Sequence, residues 1–144
     1  MRGSNKMNIY KKYRKMSGMT QERASEHLEI SIDSLKRYEM GDRAPNNELV
    51  KKMCILYGDT RLAYDHLCNT FTGELFLEKL DEKSLCTATI SVINEIKKFN
   101  DKYDKIIEIT SDGIIDTSEI GEWTEIETQA KKAIKSFYEL IFRR

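Results

Sequence analysis

Apolar residues in the first half of the chain recur at the spacing of short amphipathic helices. A first helix is predicted over about 8–17, because Gly18 follows as a stop and one face carries Ile9, Tyr10, Tyr13 and Met16. A second helix is predicted from the N-cap Thr20 to about residue 29, and a third from the N-cap Ser31 to about residue 40, where Gly41 ends it. Only a few residues separate these two helices.

Two more helices complete this half. A fourth is predicted over 45–57 through Leu49, Met53 and Leu56, and Thr60 is expected to cap a fifth that carries Leu62, Ala63 and Leu67. The expected fold is therefore all-α, and it begins with a five-helix domain over 9–69.

The predicted third helix has two different faces. At about 100° per residue, Leu35 and Tyr38 point to one side, while the opposite arc carries Ile32, Asp33, Lys36 and Arg37. An isoleucine among charged residues is unusual on a purely solvated helix. It suits a surface that reads base edges, with Ile against a thymine methyl, Arg on guanine and Asp on the cytosine amino group. We therefore expect this helix to enter the major groove of DNA.

Characteristic residues surround this helix in the stretches TQERASEHLEIS and SIDSLKRYEMGDRAP. They include the TQ pair that opens the second helix, a small residue inside it, the R-Y-E ending of the third helix and the G-x-x-x-P after it. With these marks, residues 9–69 resemble the Cro/repressor-type (Xre-family) helix-turn-helix of bacterial and phage transcription regulators. The chain departs from the family at Glu29, where a turn glycine is customary, and also at Ala24, Met40 and Asp42.

The resemblance implies roles for individual residues. Gln21 matches the phosphate-contacting glutamine at the start of the second helix, beside Thr20, and Arg43 lies in the loop that runs along the DNA backbone. Arg14 matches an arginine that pairs in relatives with the glutamate matching Glu39, which makes this a structural ion pair. Base-reading positions fall at or beside Ile32, Asp33, Ser34, Lys36 and Arg37.

Charge is distributed unevenly although the total is zero. Residues 1–59 hold 12 Lys and Arg against 8 Asp and Glu, and the remainder holds 12 against 16. The first half is therefore the better candidate for contact with a polyanion.

The second half changes to heptad spacing after a predicted connector over 70–83. One seam predicts a long helix over roughly 84–109. It consists of Leu85, Thr89, Val92, Ile96, Phe99, Tyr103 and Ile106, and is apolar except at Thr89. After an S-D-G turn, a second seam predicts another long helix through Ile120, Trp123, Glu127, Ala130, Ile134, Phe137 and Ile141, with Glu127 as the exception and Ile126 beside it. The two helices are expected to form a long antiparallel helical hairpin over 84–144.

This hairpin carries more apolar surface than one helix pair covers, so we expect it to dimerise. The predicted dimer contacts are Val92, Ile96, Phe99, Tyr103, Trp123, Ile134, Phe137 and Ile141. This half also resembles the C-terminal helical regions, with a similar DGIID turn, of phage and mobile-element regulators.

The segment between the two helices has two readings. In EITSDGIIDTSE, residues 108–119, glycine, isoleucine and glutamate stand at the sixth, eighth and twelfth places, as in an EF-hand calcium loop. Glu108 and Thr110, however, occupy the first and third ligand places. The favoured alternative is a D-G turn followed by Asp116, which caps the next helix with Glu119 three residues on. No metal site is therefore expected.

Residue types that carry catalysis elsewhere show no informative spacing here. His27 and His66 lie in amphipathic helices without a nucleophile or a metal partner, and are expected on the surface or in packing. The three cysteines, Cys54, Cys68 and Cys86, lack CxxC spacing and are expected to be buried, reduced thiols. Neither enzyme activity nor a cofactor is predicted.

Together these features predict a cytoplasmic, sequence-specific DNA-binding transcription regulator that binds a palindromic operator as a homodimer. It would repress by occluding a promoter or activate by touching RNA polymerase, and repression of a phage-like or mobile-element operon is favoured. Its expected partners are double-stranded DNA and a second copy, with RNA polymerase or an antirepressor protein as further candidates. No apolar run in the sequence approaches the ~20 residues that span a bilayer. Residues 1–8 are expected to be a leader or a disordered tail. The alternative is a protein-interaction module, an immunity or antirepressor partner, on the same fold without DNA binding.

Overall fold

The computed structural model describes residues 7–143 of the chain, so most of the predicted leader over 1–8 lies outside the described residues. Within that range there are α-helices, one 3-10 turn at Gly73–Leu75 and no strand, which confirms the all-α prediction. The α-helices are α1 Ile9–Met16, α2 Gln21–His27, α3 Ile32–Met40, α4 Asn47–Tyr57, α5 Arg61–Cys68, α6 Leu85–Asn100, α7 Tyr103–Thr110 and α8 Ile120–Ile141. They form two compact units, Met1–Lys79 and Leu80–Arg144, between which the predicted connector is divided.

Local capping sets the helix ends of the first unit. The side chains of Thr20 and Ser31 accept hydrogen bonds from the backbone N–H groups of the third residues of α2 and α3, Arg23 and Ser34, as predicted. The prediction for Thr60 is wrong, because its backbone is already helical and its side chain makes no capping hydrogen bond. Asp59 acts in its place, since its Oδ1 accepts from the N–H of Arg61 at 2.9 Å.

Side chains from all five helices meet in the core of the first unit. The buried apolar cluster consists of Tyr10, Tyr13, Ala24, Leu28, Leu35, Tyr38, Val50, Met53, Cys54, Tyr57 and Leu62. His66 is buried beside it, with Nδ1 2.8 Å from the Tyr10 hydroxyl and Nε2 3.0 Å from Oδ1 of Asn47. Burial lowers the pKa of His66. His66 is thus a packing residue.

The second unit is built on contact between α6 and α8. The two helices are antiparallel, because residues paired across them run in opposite directions along the chain: Lys83 with Glu139, Glu95 with Gln129, and Lys102 with Glu125. The predicted hairpin is therefore present.

The prediction of one unbroken helix over 84–109 is wrong. α6 ends at Asn100, and α7 begins at Tyr103 after a tight turn in which the N–H of Lys102 donates to the carbonyl of Phe99. Asn and Asp compete with the helix through local hydrogen bonds, so positions 100–101 are a weak point in the pattern. After the break, Ile109 is buried, and Lys105 lies 2.9 Å from Glu122 of α8.

The contact between α6 and α8 uses little of the predicted apolar seams, of which only Val92 is fully buried. Its buried residues are Ala88 and Val92 on α6 and Ile126, Gln129 and Ser136 on α8. The small side chains of Ala88 and Ser136 let the two helices approach closely. The seam residues Leu85, Ile134, Phe137 and Ile141 remain exposed instead.

An ionic cluster centred on the buried Glu139 holds the start of this unit against α8. Glu139 is almost completely buried, and its carboxylate lies 2.5 Å from Nζ of Lys83 and accepts from the N–H of Asp81 at 3.0 Å. Lys135 lies 3.1 Å from Asp81 and holds the pKa of that carboxyl below its usual range. Residues 81–83 are thereby fastened to the last turns of α8.

The turn between α7 and α8 is closed by reciprocal capping. Oδ1 of Asp116 accepts from the N–H groups of Ser118 and Glu119, and Oε2 of Glu119 accepts from the N–H of Asp116 at 3.0 Å. The reciprocal hydrogen bonds predicted between Asp116 and Glu119 are therefore present. They close the turn before α8 and do not cap the helix itself, whose N-cap is Glu119 and has no side-chain capping hydrogen bond.

Candidate DNA-reading surface

α3 divides its side chains between the core and the surface. Leu35 and Tyr38 are buried in the first unit. The other side carries the five residues predicted to read bases, and we call it the outer face of α3. It consists of the exposed Asp33, Lys36 and Arg37 and the half-buried Ile32 and Ser34.

The first turn of α3 is fixed by two serine side chains. Oγ of Ser31 accepts from the N–H of Ser34 at 3.1 Å, and the two hydroxyls lie 2.9 Å apart. The remaining N–H groups of the first turn point out of the helix end, where they favour negative charge.

Residue 29 makes the sharp turn that joins α2 to α3. Glu29 has a φ of 56°, in the left-handed region that favours glycine. The N–H of the next residue, Ile30, donates to the carbonyl of Ser25 at 3.1 Å and closes the end of α2. The chain thus keeps a turn geometry typical of glycine although the glycine is absent.

Glu39 joins three helices beneath the outer face. Arg14 donates to its carboxylate from both Nε and Nη2, the latter at 2.9 Å, and also donates to the carbonyl of Met19 at 2.6 Å. Gln21 adds a third hydrogen bond to the carboxylate, from Nε2 to Oε2 at 2.8 Å. Arg14 and Glu39 are both buried, and their hydrogen bond raises the pKa of Arg14. The start of α2 and the end of α3 are therefore fixed to α1.

Sequence reasoning did not foresee the contact between Gln21 and Glu39. The two residues are 18 positions apart and lie on different helices. No local pattern links residues at such a separation. The exposed segment after α3 contains another unforeseen contact, because the Arg43 guanidinium lies 5.8 Å from the centre of the Tyr38 ring. Tyr38 thus helps to place Arg43.

The residues predicted as dimer contacts differ in exposure. Val92 is buried between α6 and α8, so it is not available to a partner. Phe99 and Trp123 are half-buried, and the exposed members are Ile96, Tyr103, Ile134, Phe137 and Ile141.

The cysteine prediction holds for two thiols and is wrong for the third. Cys54 and Cys68 are buried, and burial raises the pKa of both thiols. Cys86 is exposed, because it lies near the start of α6 on the side away from α8.

The geometry of α2 and α3 defines a helix-turn-helix: two short helices are joined by residues 28–31, and the second helix exposes a polar face. Residues 11–64 match the model of the helix-turn-helix family, from within α1 to the middle of α5. The chain therefore carries an N-terminal helix-turn-helix domain, and the match indicates a DNA-binding transcription regulator. No curated protein and no solved structure matches the chain significantly.

Across residues 7–143, no helix is both long enough and apolar enough to cross a membrane. The same part of the chain contains no group of three or more His, Cys, Asp or Glu side chains placed to hold a metal ion.

Proposed function

We propose that this protein is a sequence-specific transcription regulator that inserts α3 into the major groove and binds a palindromic operator as a homodimer. The observation that carries this proposal is the outer face of α3, where two cations, an anion and an isoleucine are held on a helix whose opposite side is packed into the core. A face of this composition matches the donors, acceptors and methyl groups of base edges. Arg37 would bind guanine, Asp33 would accept from a cytosine amino group, and Ile32 would contact a thymine methyl.

Phosphate contacts would come from both sides of α3. Gln21 has one amide N–H bonded to Glu39, so its side chain is oriented while its second N–H stays available to a phosphate oxygen. Arg43, held near the Tyr38 ring, and the hydroxyl of Thr20 would contact the backbone on either side. These contacts position the protein, and the outer face of α3 supplies the sequence preference.

The exposed apolar residues of the second unit support a homodimer. On each helix, the exposed seam residues lie on one flank of the residues that contact the other helix, and the turn from contact to flank has the same direction about both helix axes. Because α6 and α8 are antiparallel, the two flanks face the same side of the helix pair. The resulting apolar face contains Leu85 and Ile96 from α6 and Ile134, Phe137 and Ile141 from α8. Contiguous exposed apolar surface rimmed by polar residues is typical of protein–protein contact sites. A second copy would cover it and supply a second α3 for the other half of a palindrome.

The proposed role is repression of a phage-like or mobile-element operon in the cytoplasm, by occlusion of its promoter. Two α3 helices on half-sites about 10 to 10.5 base pairs apart would cover one face of the duplex. Such coverage overlaps the surface that RNA polymerase requires.

Selection from a random duplex library, followed by salt titration of the selected sequence, tests the proposal. We expect a two-fold symmetric consensus, and binding that weakens steeply as salt rises. The matched control is a variant with Asp33→Ala, Lys36→Ala and Arg37→Ala, which changes exposed side chains only. It should lose the consensus but keep its fold. A chain that binds no duplex at low salt would contradict the proposal and favour a protein-interaction module.

A further inference from the structure

A groove lies between α4 and α5 in the first unit. It has a volume of about 450 Å³ and is lined mainly by apolar side chains, among them Val50, Cys54, Ile55, Ala63 and Leu67. Ile55 is 75% exposed, so the groove opens to the surface. Lys51 stands at its edge and is also exposed.

The segment that follows α5 carries an apolar protrusion, which we call the plug. It consists of Phe71, Leu75 and Phe76, whose side chains are 82%, 72% and 69% exposed. Three large apolar residues within six positions are costly to leave in water, at about 25 cal/mol per Å². Glu74, in the middle of the plug, is exposed as well.

The backbone holds the plug in place. Gly73 lies so close to α5 that a Cβ there would overlap the carbonyl of Leu67, and its N–H donates to the Thr70 hydroxyl at 3.0 Å. The hydroxyl of Tyr64 donates to the carbonyl of Glu78 at 2.9 Å and fixes the far end. The plug is therefore presented outward in a set conformation, and little order would be lost on binding.

We propose that the plug of one copy fills the α4–α5 groove of a second copy, and that the second copy returns the same contact. The plug begins four positions after Leu67 of the groove, so groove and plug are neighbours on the surface. A two-fold axis beside them would therefore place both insertions side by side. This is a contact between helix-turn-helix units, separate from the proposed hairpin dimer.

Charge and area both favour a second copy as the occupant. The edge of the groove carries the cation Lys51 and the plug carries Glu74, so the insertion brings opposite charges together. A phenylalanine side chain can bury about 150 to 250 Å² of surface. Two plugs and two grooves together therefore reach a buried area on the order of 1,000 Å², which a specific interface requires. An unrelated partner would have to match both features, whereas a second copy already carries the complement of each.

Cysteine cross-linking of the full chain tests the contact without DNA, so its result does not depend on the proposed function. In a Cys86→Ser background, the Ile55→Cys and Phe76→Cys variants are mixed and mildly oxidised. We expect disulfide-linked dimers to form at least about tenfold faster than when Ile55→Cys is mixed with Arg23→Cys on α2, since steady proximity raises the effective concentration of thiols. Ile55, Phe76 and Arg23 are all exposed, so the substitutions leave the core intact.

Charge reversal gives an independent measurement of the same rate. Lys51→Glu alone should slow the cross-linking, and adding Glu74→Lys to the same chain should restore it. Equal rates for the test and control pairs would overturn the proposal. So would a disulfide formed only within single chains of the doubly substituted Ile55→Cys and Phe76→Cys protein, because the plug would then occupy its own groove.

Discussion

Nη2 of Arg14 in α1 donates to Oε2 of Glu39 in the last turn of α3 at 2.9 Å, and both side chains are buried. Removing one partner of a buried pair leaves an uncompensated charge in the core, at a cost of about 3 to 5 kcal/mol. Arg14→Ala should therefore lower the free energy of unfolding by about that amount, as measured by urea denaturation. The exposed neighbour Lys15 provides the control, since Lys15→Ala should change stability by less than about 0.5 kcal/mol.

The same Arg14 variant separates a structural role from a direct DNA contact. Preference among operator sequences should stay unchanged in whatever fraction remains folded. An unaltered melt accompanied by lost DNA binding would instead make Arg14 a phosphate contact.

Arg37 and Arg43 are both exposed, but we expect their substitution to weaken DNA binding in different ways. Arg37→Ala should cost about 1 to 3 kcal/mol on the specific operator and relax the preference at one base pair. Arg43→Ala should weaken specific and random duplex alike and reduce the salt slope by about one. Fluorescence anisotropy across a salt series measures both effects. If both variants lose the same affinity for specific and for random duplex, the assignment of Arg37 to bases and Arg43 to phosphates is wrong.

The apolar face of the second unit should control oligomeric state. Ile134→Glu combined with Phe137→Glu places two charges on this exposed face, and we expect the dimer dissociation constant to rise at least about 100-fold, or about 2.7 kcal/mol. Sedimentation of the full chain measures this change. Thr128→Glu adds a charge to another exposed side of α8 and should leave the dimer intact. A wild-type chain that sediments as a monomer at all concentrations would contradict the hairpin dimer.

Glu29 offers a stabilising substitution. The left-handed backbone at position 29 costs a residue with a Cβ about 1 kcal/mol of stability relative to glycine. The exposed ion pair between Glu29 and Lys52, at 3.7 Å, contributes little to stability. Glu29→Gly should therefore raise the unfolding free energy by up to about 1 kcal/mol, seen as a higher melting temperature. Glu26→Gly, inside α2, should lower it by about the same amount. A loss of stability at both positions would show that the turn does not require a left-handed residue.

His66 should make stability depend on pH. Burial lowers its pKa in the folded state, so the unfolded chain takes up the proton first as pH falls. The contribution of neutral His66 to the stability of the fold is therefore complete above about pH 6.5, the usual pKa of histidine. This contribution is lost as pH falls from there towards the lower pKa that His66 has in the folded state. Replacing His66 by Gln should flatten the melting temperature between about pH 8 and about pH 5, whereas His27→Gln, at an exposed position, should leave the wild-type slope. Parallel pH profiles for wild type and His66→Gln would refute this.

Local patterns in the sequence determined the five-helix domain. Caps such as Ser31 and stops such as Gly41 act within one helical turn, so they can be read without knowledge of the fold. The two sides of α3 follow from helical periodicity alone, which is why Leu35 and Tyr38 were expected in the core. A match that spans α1 to α5 reflects the same local signals.

Only the tertiary structure decided how the second half packs. Two sets of α8 residues recur at heptad spacing, and each set forms a stripe on one face of the helix. Periodicity identifies both faces, but it does not show which of them packs against α6. The stripe with Gln129 and Ser136 packs on α6 because small side chains allow close approach and Glu95 satisfies the buried amide. The more apolar stripe, with Ile134 and Phe137, is left outside. Hydrophobic content alone does not decide which stripe packs on α6.

Contacts distant in sequence were decided in the same way. The bond from Gln21 to Glu39, the position of Arg43 over Tyr38 and the exposure of Cys86 all depend on which elements become neighbours. Apart from the break between α6 and α7, the sequence determined the helices and their faces, because those depend on residues within a few positions of one another. The fold determined which faces meet, because that depends on the shape and hydrogen-bonding of side chains far apart along the chain.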